Sequence, residues 1–302
     1  MTAGPILVAG RSGQLANCLV ESAAQRGIRL VAIGRPELDV EDASSIADAA
    51  RVVEPSAMVN AAAYTAVDRA EFEPARAFAV NRDGAERFAV EAQRLGLPLI
   101  QISTDYVFDG RKSLPYTEED SALPLSVYGR SKLEGERAVR SACPAALVLR
   151  TSWMYSSYGN NFVKTMLGLA DVRDDVRVVD DQWGSPTSAN DIANATLDIL
   201  GQLGHDGFSF RAGVYHLAAQ GETTWYGFAS AIFDGWAGRG RPVTRLVPIR
   251  SAEYPTAARR PANSRLTCHK IERQFGIRFS PWQRSLDVCL DRLLAEAELQ
   301  RC

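Results

Sequence analysis

The strongest chemical signal in the sequence is a tyrosine and a lysine four residues apart, Tyr128 and Lys132. The chain holds 9 tyrosines and only 4 lysines, and Tyr-x-x-x-Lys occurs once. Residues four apart share one face of a helix. An ammonium beside a phenol lowers the pKa of the phenol, so we predict that Tyr128 exchanges a proton with a carbonyl oxygen near neutral pH. An amphipathic helix with an incidental pair is the alternative.

A threonine and an aspartate follow an apolar run upstream of this pair, at Ser103-Thr104-Asp105. A hydroxyl held against a carbonyl oxygen stabilises the charge that develops there during reaction. We therefore expect Thr104 to hold the same oxygen that Tyr128 protonates, with Asp105 beside the substrate.

A glycine-rich segment near the start of the chain, Gly10–Ala16, follows a first apolar run and opens a helical pattern. Its G-x-x-G-x-x-A spacing lets the backbone turn tightly, so that a pyrophosphate can approach the helix N-terminus, where free N–H groups favour negative charge. The spacing predicts a dinucleotide site, with an ordinary tight turn as the alternative. The residues expected to bind the cofactor here are Gly10, Ser12, Gly13, Gln14 and Leu15.

The end of the second predicted strand bears on the choice of dinucleotide. An NAD-specific site usually carries an acidic residue there, and this chain has Ile33-Gly34-Arg35. An arginine can pair with a 2′-phosphate, so Arg35 favours NADPH, with NADH as the second cofactor and a solvated surface arginine as the alternative interpretation. Asp39 and Val40 follow within reach of an adenine.

Three alanines close the third predicted strand. They permit close approach of a cofactor, although alanine runs are equally common as packing residues. The expected cofactor contacts of this segment are Ala61, Ala62, Ala63 and Thr65.

Apolar runs alternate with helical patterns through the first half of the chain. The runs are continuous, which is typical of strands covered on both faces of a parallel sheet. The predicted strands are Pro5–Ala9, Arg29–Ile33, Ala57–Val59, Leu97–Ser103 and Ala146–Leu149, and the predicted helices are Gln14–Arg26, Ser44–Val53, Glu73–Leu95 and Tyr128–Ala142. Repeated β-α-β units predict an α/β fold with a doubly wound parallel (Rossmann) sheet.

The second half is less regular and richer in glycine and proline. Its predicted strands are Val176–Val179, Val214–Leu217 and Val243–Val247, and its predicted helices are Ala189–Leu203, Trp225–Gly235 and Ser285–Leu299. We predict a dinucleotide-binding domain over residues 1–152, joined by 186–222. A smaller, interleaved C-terminal substrate-binding domain is expected over 153–185 and 223–302, against the carboxyl ends of the strands.

Composition narrows the function classes. Lys and Arg number 34 against 36 Asp and Glu, a net charge of −2, so no global charge attracts nucleic acid or a membrane surface. No apolar run reaches the roughly 18 residues of a membrane span, and the first strand begins too early for a signal peptide. The 5 cysteines are scattered, and His205, His216 and His269 lack metal-ligand spacing. We expect a cytoplasmic protein without a metal site.

Together these motifs resemble the extended short-chain dehydrogenase/reductases and, more narrowly, the family of dTDP-4-dehydrorhamnose reductases. The narrower resemblance spans nearly the whole chain and includes Val59–Asp68 (VNAAAYTAVD), Arg150–Tyr155 (RTSWMY), Gly159–Phe162 (GNNF), Asp181–Thr187 (DQWGSPT), Thr223–Tyr226 and Ala258–Leu266 (ARRPANSRL). It implies reduction of the 4-keto group of a dTDP-6-deoxyhexose with NADPH or NADH, the last step to dTDP-L-rhamnose.

The resemblance also implies roles for individual residues. Tyr128 is the implied proton donor, Lys132 its electrostatic partner, and both also contact the cofactor. Thr104 is the implied holder of the oxyanion. The implied substrate contacts are Thr104, Asp105, Trp153 beside the sugar and nicotinamide, and Asn161, Arg259 and Arg260 at the dTDP moiety, where arginine suits a bidentate phosphate contact.

Two other functions stay open at this point. A nucleotide-sugar epimerase shares the fold and the Tyr-Lys pair, and the family resembles a non-catalytic regulatory subunit of methionine adenosyltransferase. Some relatives are described as dimers joined by magnesium through carboxylates, at positions that here hold Cys18 and Asn190. A thiol and an amide are poor ligands for a hard cation, so we expect no magnesium site, and a monomer or a weak homodimer.

Overall fold

The computed structural model describes residues 4–203 and 211–299. In chain order the strands are β1 Ile6–Ala9, β2 Leu30–Ile33, β3 Ala57–Asn60, β4 Leu99–Thr104, β5 Leu147–Thr151, β6 Met154–Tyr155, β7 Asp175–Val179, β8 Trp183–Gly184, β9 Thr187–Ser188, β10 Gly213–His216, β11 Thr223–Thr224 and β12 Arg245–Ile249. The helices are α1 Gln14–Gln25, α2 Ala43–Val53, α3 Val67–Ala70, α4 Pro74–Phe78, α5 Ala85–Arg94, α6 Val127–Ala142, α7 Phe162–Ala170, α8 Ala189–Leu203, α9 Trp225–Gly238, α10 His269–Phe275 and α11 Trp282–Leu299.

Six strands form one parallel sheet in the order β10-β5-β4-β3-β1-β2. The residues of the central strands point alternately into two hydrophobic clusters. In β1, Ile6 and Val8 join α1 and α8 on one side, whereas Leu7 and Ala9 join α2 and α5 on the other. Both faces are therefore covered by helices, which is why the strands read as continuous apolar runs. The predicted doubly wound parallel sheet is confirmed.

A third hydrophobic cluster lies outside the sheet and joins α7, α9 and α11. Three short strand pairs accompany it: β12 with β7, β11 with β8, and β6 with β9. The strand β10 returns to the edge of the six-stranded sheet beside β5, and α8 packs against α1. This return agrees with the predicted interleaving, while the predicted domain boundaries stay a prediction.

Several short elements lie where the sequence predicts none. The two-residue strands β6, β8, β9 and β11 are too short to show a period, and α3, α7 and α10 were also not predicted. The long helix expected over Glu73–Leu95 is divided by a π-helical turn at Ala79–Gly84. The strand expected at Val243–Val247 begins instead at Arg245 and extends to Ile249.

Other sequence expectations concern histidines, cysteines and membrane spans. His216 is buried and His269 exposed, while His205 and Cys302 lie outside the described residues. Burial lowers the pKa of His216 to about 3, so this residue is neutral. The four described cysteines carry free thiols. Within residues 4–203 and 211–299, no helix combines the length and apolar character needed to span a bilayer.

Candidate active site

Tyr128 lies in the first turn of α6, whose N-terminus is fixed by two side chains. The hydroxyl oxygen of Ser126 accepts a hydrogen bond from the Gly129 N–H at 3.1 Å, an N-cap that satisfies one free donor of the helix. Glu71 Oε1 accepts from the Val127 N–H at 2.7 Å. A Cβ at Gly129 would lie 2.2 Å from the carbonyl oxygen of Tyr106, so a glycine is required for this close approach. The first turn of α6 is thereby held against the segment that follows β4.

The close approach brings Tyr128 to the Thr104-Asp105 pair predicted to act with it. The Thr104 side chain lowers the pKa of Tyr128, so the two side chains lie close together. The Thr104 hydroxyl donates to Asp105 Oδ1 at 3.1 Å. Asp105 is only 2% exposed, and among the described residues its other oxygen, Oδ2, has no hydrogen-bond partner. The site therefore holds two adjacent hydroxyls and one buried acceptor that is free to receive a ligand hydroxyl.

Burial dominates the titration of these groups. It raises the pKa of Tyr128 to about 12, opposed by the hydrogen bond with Thr104 and reinforced by the charge of Asp105. The expected lowering of the Tyr128 pKa by Lys132 is therefore wrong for the protein's own groups, because desolvation of the phenolate outweighs any nearby cation. Burial also raises the pKa of Asp105 to about 6. Near neutral pH, Tyr128 holds its proton.

The buried side chain of Lys132 is bonded to the backbone of β4. Its ammonium donates to the Ile102 carbonyl at 2.7 Å, and burial lowers its pKa to about 8 while the charge of Glu136 opposes that change. Glu136 follows on the same helix and forms a buried ion pair with Arg150 at 2.7 Å. Glu136 also accepts from the Ser103 hydroxyl. The sequence analysis did not select Glu136 or its pair with Arg150. The only local signal for Glu136 is its spacing of four residues from Lys132.

The π-helical turn places a second missed residue, Asn81, beside the catalytic helix. Its Nδ2 donates to the Ser131 hydroxyl at 2.9 Å, and its Oδ1 accepts from the Tyr64 N–H at 2.8 Å. The Ser131 hydroxyl in turn donates to the Tyr128 carbonyl at 2.8 Å. Asn81 therefore ties the segment after β3 to the turn of α6 that carries Tyr128 and Lys132.

The glycine-rich segment forms the turn between β1 and α1. Gly10 adopts a φ of +117°, and a Cβ there would lie 3.2 to 3.3 Å from the backbone of Ala61 and Ala62. No side chain caps the first turn of α1, which begins after Gly13. Its N–H groups are available to an anion, so the segment suits the pyrophosphate of a dinucleotide.

A cavity of about 600 Å³ opens beside this turn. It collects most of the predicted cofactor residues, namely Gly10, Ser12, Gly13, Arg35, Asp39, Val40, Ala61, Ala62 and Ala63. Arg35 is exposed, and the described residues provide it with no hydrogen bond or ion pair, in contrast to Arg11, which pairs with Glu37 at 3.3 Å. The cavity volume and the glycine-rich backbone suit a dinucleotide, and the guanidinium of Arg35 suits a 2′-phosphate.

Five predicted cofactor residues lie outside the lining of this cavity: Tyr128 and Lys132, described above, and Gln14, Leu15 and Thr65. Leu15 is buried in the core between α1 and the sheet, so only its backbone could face a ligand. Gln14 Oε1 accepts from the Ser156 hydroxyl at 2.9 Å. Thr65 is exposed, and its neighbour Tyr64 lines the cavity instead. The cofactor roles of these residues, like those of the residues that line the cavity, stay predictions.

Trp153 follows β5 and is buried, with 9% of its surface exposed. Its φ is +46°, a left-handed backbone conformation that bulky residues seldom adopt. Its indole stacks on that of Trp225, with ring centroids 3.5 Å apart and an angle of 5° between the planes. Trp225 was not singled out from the sequence.

The three residues predicted at the dTDP moiety differ in their surroundings. Asn161 caps α7: its Nδ2 donates to the Ser156 carbonyl at 2.7 Å, and its Oδ1 accepts from the Lys164 N–H at 3.2 Å. Arg260 makes a bidentate ion pair with Asp68 at 2.6 and 3.1 Å. Arg259 is exposed. Of the two arginines, Arg259 is exposed to solvent, whereas Arg260 is paired with Asp68.

Arg260 also reaches Tyr128 through Tyr106, which the sequence analysis did not select. The Tyr106 side chain helps to raise the pKa of Arg260 against the effect of burial, so the two side chains lie close together. The Tyr106 ring packs edge-on against Tyr128, with centroids 6.0 Å apart. Asp68, Arg260, Tyr106 and Tyr128 therefore form a continuous chain of contacts across the site.

The positions considered for magnesium lie on α1 and α8. Cys18 is buried, and burial raises its pKa to about 12, so it is a neutral thiol. In the ranges 4–203 and 211–299, no group of three or more His, Cys, Asp or Glu side chains could hold a metal ion. The expectation that no metal binds stays a prediction.

Comparison with known proteins gives a consistent result over nearly the full length. Residues 4–295 match the sequence profile of the RmlD substrate binding domain family. A dTDP-4-dehydrorhamnose reductase from Sinorhizobium fredii is 49% identical over 294 residues, covering 97% of this chain and 99% of that protein. A crystal structure of a dTDP-4-dehydrorhamnose reductase from Clostridium acetobutylicum has a TM-score of 0.89 at 33% identity, covering 96% and 99% of the two chains. The Bacillus anthracis dTDP-4-dehydrorhamnose reductase in complex with NADP has a TM-score of 0.88 at 32% identity, covering 96% and 100%.

Proposed function

The chain belongs to the RmlD substrate binding domain family, and we propose that it reduces the 4-keto group of dTDP-4-dehydro-L-rhamnose to give dTDP-L-rhamnose. NADPH is the proposed cofactor, with NADH as a second one. The observation that carries this proposal is that Tyr128, Thr104 and Asp105 come together: the buried Thr104 hydroxyl donates to the buried Asp105, and the half-buried Tyr128 interacts with Thr104. This group lies at the carboxyl end of β4, where ligands of doubly wound sheets bind.

The cofactor, when bound, supplies a hydride to C4 of the sugar, and the protein supplies the proton for the oxygen. Tyr128 keeps its proton at neutral pH because burial raises its pKa to about 12. We propose that Tyr128 donates this proton to the 4-oxygen, so that the ketone becomes a hydroxyl. We propose that, when the sugar is bound, the Thr104 hydroxyl turns from Asp105 Oδ1 and donates its one proton to the same oxygen, which stabilises the developing negative charge. Lys132, held by the Ile102 carbonyl, places a positive charge one helical turn from Tyr128.

On the substrate side, the unpartnered Oδ2 of Asp105 supports its assignment as a substrate contact. A buried acceptor without a partner costs free energy, which a hydroxyl of the sugar would recover. Trp153 provides an apolar wall for the sugar ring. We assign the diphosphate to Arg259 and Arg260, the second of which must then share its guanidinium with Asp68. Asn161 would act through the loop that it caps.

On the cofactor side, the free N-terminus of α1 and the glycine-rich turn support pyrophosphate binding. We assign the 2′-phosphate to Arg35 and the adenine to the part of the cavity next to Asp39 and Val40. Ala61, Ala62 and Ala63 give the cofactor room to lie against the sheet. Gln14, Leu15 and Thr65 complete the proposed set at its margin.

Three further expectations belong to this proposal. The Rossmann part is assigned to residues 1–152 and 186–222, and the sugar-binding part to 153–185 and 223–302. We propose that the enzyme acts as a monomer or a weak homodimer. A cytoplasmic location stays a prediction.

The test is the consumption of NADPH with and without dTDP-4-dehydro-L-rhamnose. We expect stoichiometric oxidation of NADPH that depends on the sugar and yields dTDP-L-rhamnose. An epimerase would interconvert two nucleotide sugars with no net oxidation, and a non-catalytic subunit would do neither. Either of those outcomes would overturn the proposed function.

A further inference from the structure

Trp153 has a backbone conformation that its own side chain disfavours. It and Glu54 are the two non-glycine residues with a positive φ in the part of the chain that the structure describes. A bulky residue in this region is strained, and the strain persists only where the surroundings fix it. The position of the Trp153 indole therefore has to be set by the groups around it.

Two contacts confine the indole of Trp153. Trp225 stacks on it at 3.5 Å, nearly parallel. At Gly184 a Cβ would lie 2.3 Å from the indole Cε2 and 2.6 Å from its Nε1, so the ring occupies the space that a larger residue would need. The Thr187 N–H also donates to the Trp153 carbonyl at 3.2 Å.

Trp225 is itself firmly held, since it is the first residue of α9. The Thr224 hydroxyl oxygen caps this helix by accepting from the Gly227 N–H at 3.0 Å. The Phe162 ring lies against Trp225 at 4.7 Å. Phe162 and Trp225 both pack on the cluster that joins α7, α9 and α11. Trp225 thus extends a rigid packed region toward β5.

The backbone that Trp225 steadies is next to the reacting groups. Ser152 immediately precedes Trp153, and its side chain lowers the pKa of Asp105 against the larger effect of burial, so it lies close to that carboxyl group. The Ser152 hydroxyl oxygen also accepts from the Ser185 N–H at 3.4 Å. A shift of the Trp153 indole would move this segment, and with it the surface that faces the sugar.

We infer that Trp225 is a positioning residue, which fixes the strained Trp153 indole against the sugar-binding part of the site by stacking on it. The inference rests on the proposed function, because it takes Trp153 as a wall of the sugar site. Trp225 does not touch the substrate in this account. It acts through Trp153, together with the space that Gly184 leaves.

The test compares Trp225→Leu and Trp225→Phe with Trp236→Phe. Trp236 is the control because it is a second tryptophan of α9, more deeply buried than Trp225, and its ring does not stack on Trp153. The measurements are KM for the nucleotide sugar, KM for NADPH, kcat, and the excitonic couplet that stacked indoles give in far-ultraviolet circular dichroism.

For Trp225→Leu we expect KM for the nucleotide sugar to rise about tenfold, the upper range for loss of an aromatic pair, with KM for NADPH unchanged. The couplet should disappear. Trp225→Phe should also lose the couplet but keep a KM near that of the wild type, since a ring remains in place. Trp236→Phe should keep both.

Gly184→Ala provides a second route to the same residue and leaves Trp225 intact. Its Cβ must displace the indole, so KM for the nucleotide sugar should rise here as well. A wild-type KM in Trp225→Leu or in Gly184→Ala would overturn the inference alone. Failure of the wild-type protein to reduce the sugar would overturn the proposed function, and with it the role of Trp225 in that reaction.

Discussion

The cofactor side and the catalytic side of the site are built in different ways. On the cofactor side, exposed backbone and small residues surround a cavity of about 600 Å³, and Arg35 projects freely. On the catalytic side, Thr104, Asp105 and Lys132 are 6%, 2% and 5% exposed, and all three are hydrogen-bonded. The first region is arranged to receive a large ligand through backbone groups, whereas the second holds a few side chains rigidly.

This difference has an energetic consequence. Burial shifts the pKa values of Tyr128, Asp105 and Lys132, because each loses water that stabilised its charged form. Changes on the catalytic side should therefore act on turnover and its pH dependence. Changes on the cofactor side should act on the affinity for one cofactor or the other.

Removal of the Tyr128 hydroxyl should give the largest effect and the cleanest separation of the two sides. We expect Tyr128→Phe to lower kcat by at least about 10²-fold, the lower range for lost general-acid catalysis, with the Kd for NADPH little changed. Steady-state kinetics measures kcat, and titration with NADPH measures its Kd. Tyr116→Phe, which removes a buried hydroxyl bonded to Asp109, is the control for a general loss of packing. Wild-type turnover in folded Tyr128→Phe would remove Tyr128 from the mechanism.

Reversal of charge at Arg35 should have the opposite pattern: it should weaken the binding of NADPH and leave kcat unchanged. Arg35→Asp replaces a phosphate partner with a repelling carboxylate, so we expect the Kd for NADPH to rise about tenfold or more, with a much smaller change for NADH. The saturated kcat should be retained. Arg51→Asp makes the same charge change on α2, away from the cavity lining, and should affect neither cofactor. Equal losses with NADPH and NADH would mean that Arg35 only supports its loop.

The pH profile should report the catalytic side alone. Asp105, with a pKa of about 6, offers charged acceptors on both oxygens only when it is deprotonated, and Lys132, with a pKa of about 8, loses its charge above that value. We expect kcat/KM to be level between these values and to fall up to about tenfold per pH unit on either side. Asp105→Asn should remove the acidic limb. An acidic limb that persists in Asp105→Asn would assign it to another group.

The same division explains what the sequence could predict. The apolar runs and the glycine-rich turn are patterns of neighbouring residues. They therefore sufficed to predict the parallel sheet and the position of the cavity beside the turn. The Arg260–Asp68 pair joins positions 192 residues apart, and the Trp153–Trp225 stack joins the link between β5 and β6 to the first residue of α9. No local period reveals such contacts. The sequence predicted a lowered pKa for Tyr128, and this direction is wrong because a sequence does not report how much water the folded protein removes from a phenol.

The smallest expected effect is that of a chelator, which should change neither side of the site. Two carboxylates lie near Cys18 and Asn190, but each already has a protein partner. Glu21 Oε2 accepts from Arg292 at 2.8 Å, and Asp191 Oδ2 accepts from the Ser285 hydroxyl at 2.6 Å. The guanidinium of Arg292 neutralises Glu21 in the way that a metal ion would. Burial raises the pKa of Asp191, which weakens this carboxylate as a ligand for a hard metal ion.

The reaction as proposed also requires no metal, because Thr104 and Tyr128 serve the carbonyl oxygen. We therefore expect full turnover in EDTA and the same sedimentation coefficient with and without magnesium. Arg292→Glu offers a sharper version of this test, since it removes the neutralising cation and adds a carboxylate beside Glu21. If magnesium binding appears only in that variant, the Arg292–Glu21 pair is what excludes the ion. A magnesium-dependent shift from monomer to dimer in the wild-type protein, reversed by EDTA together with activity, would contradict the prediction.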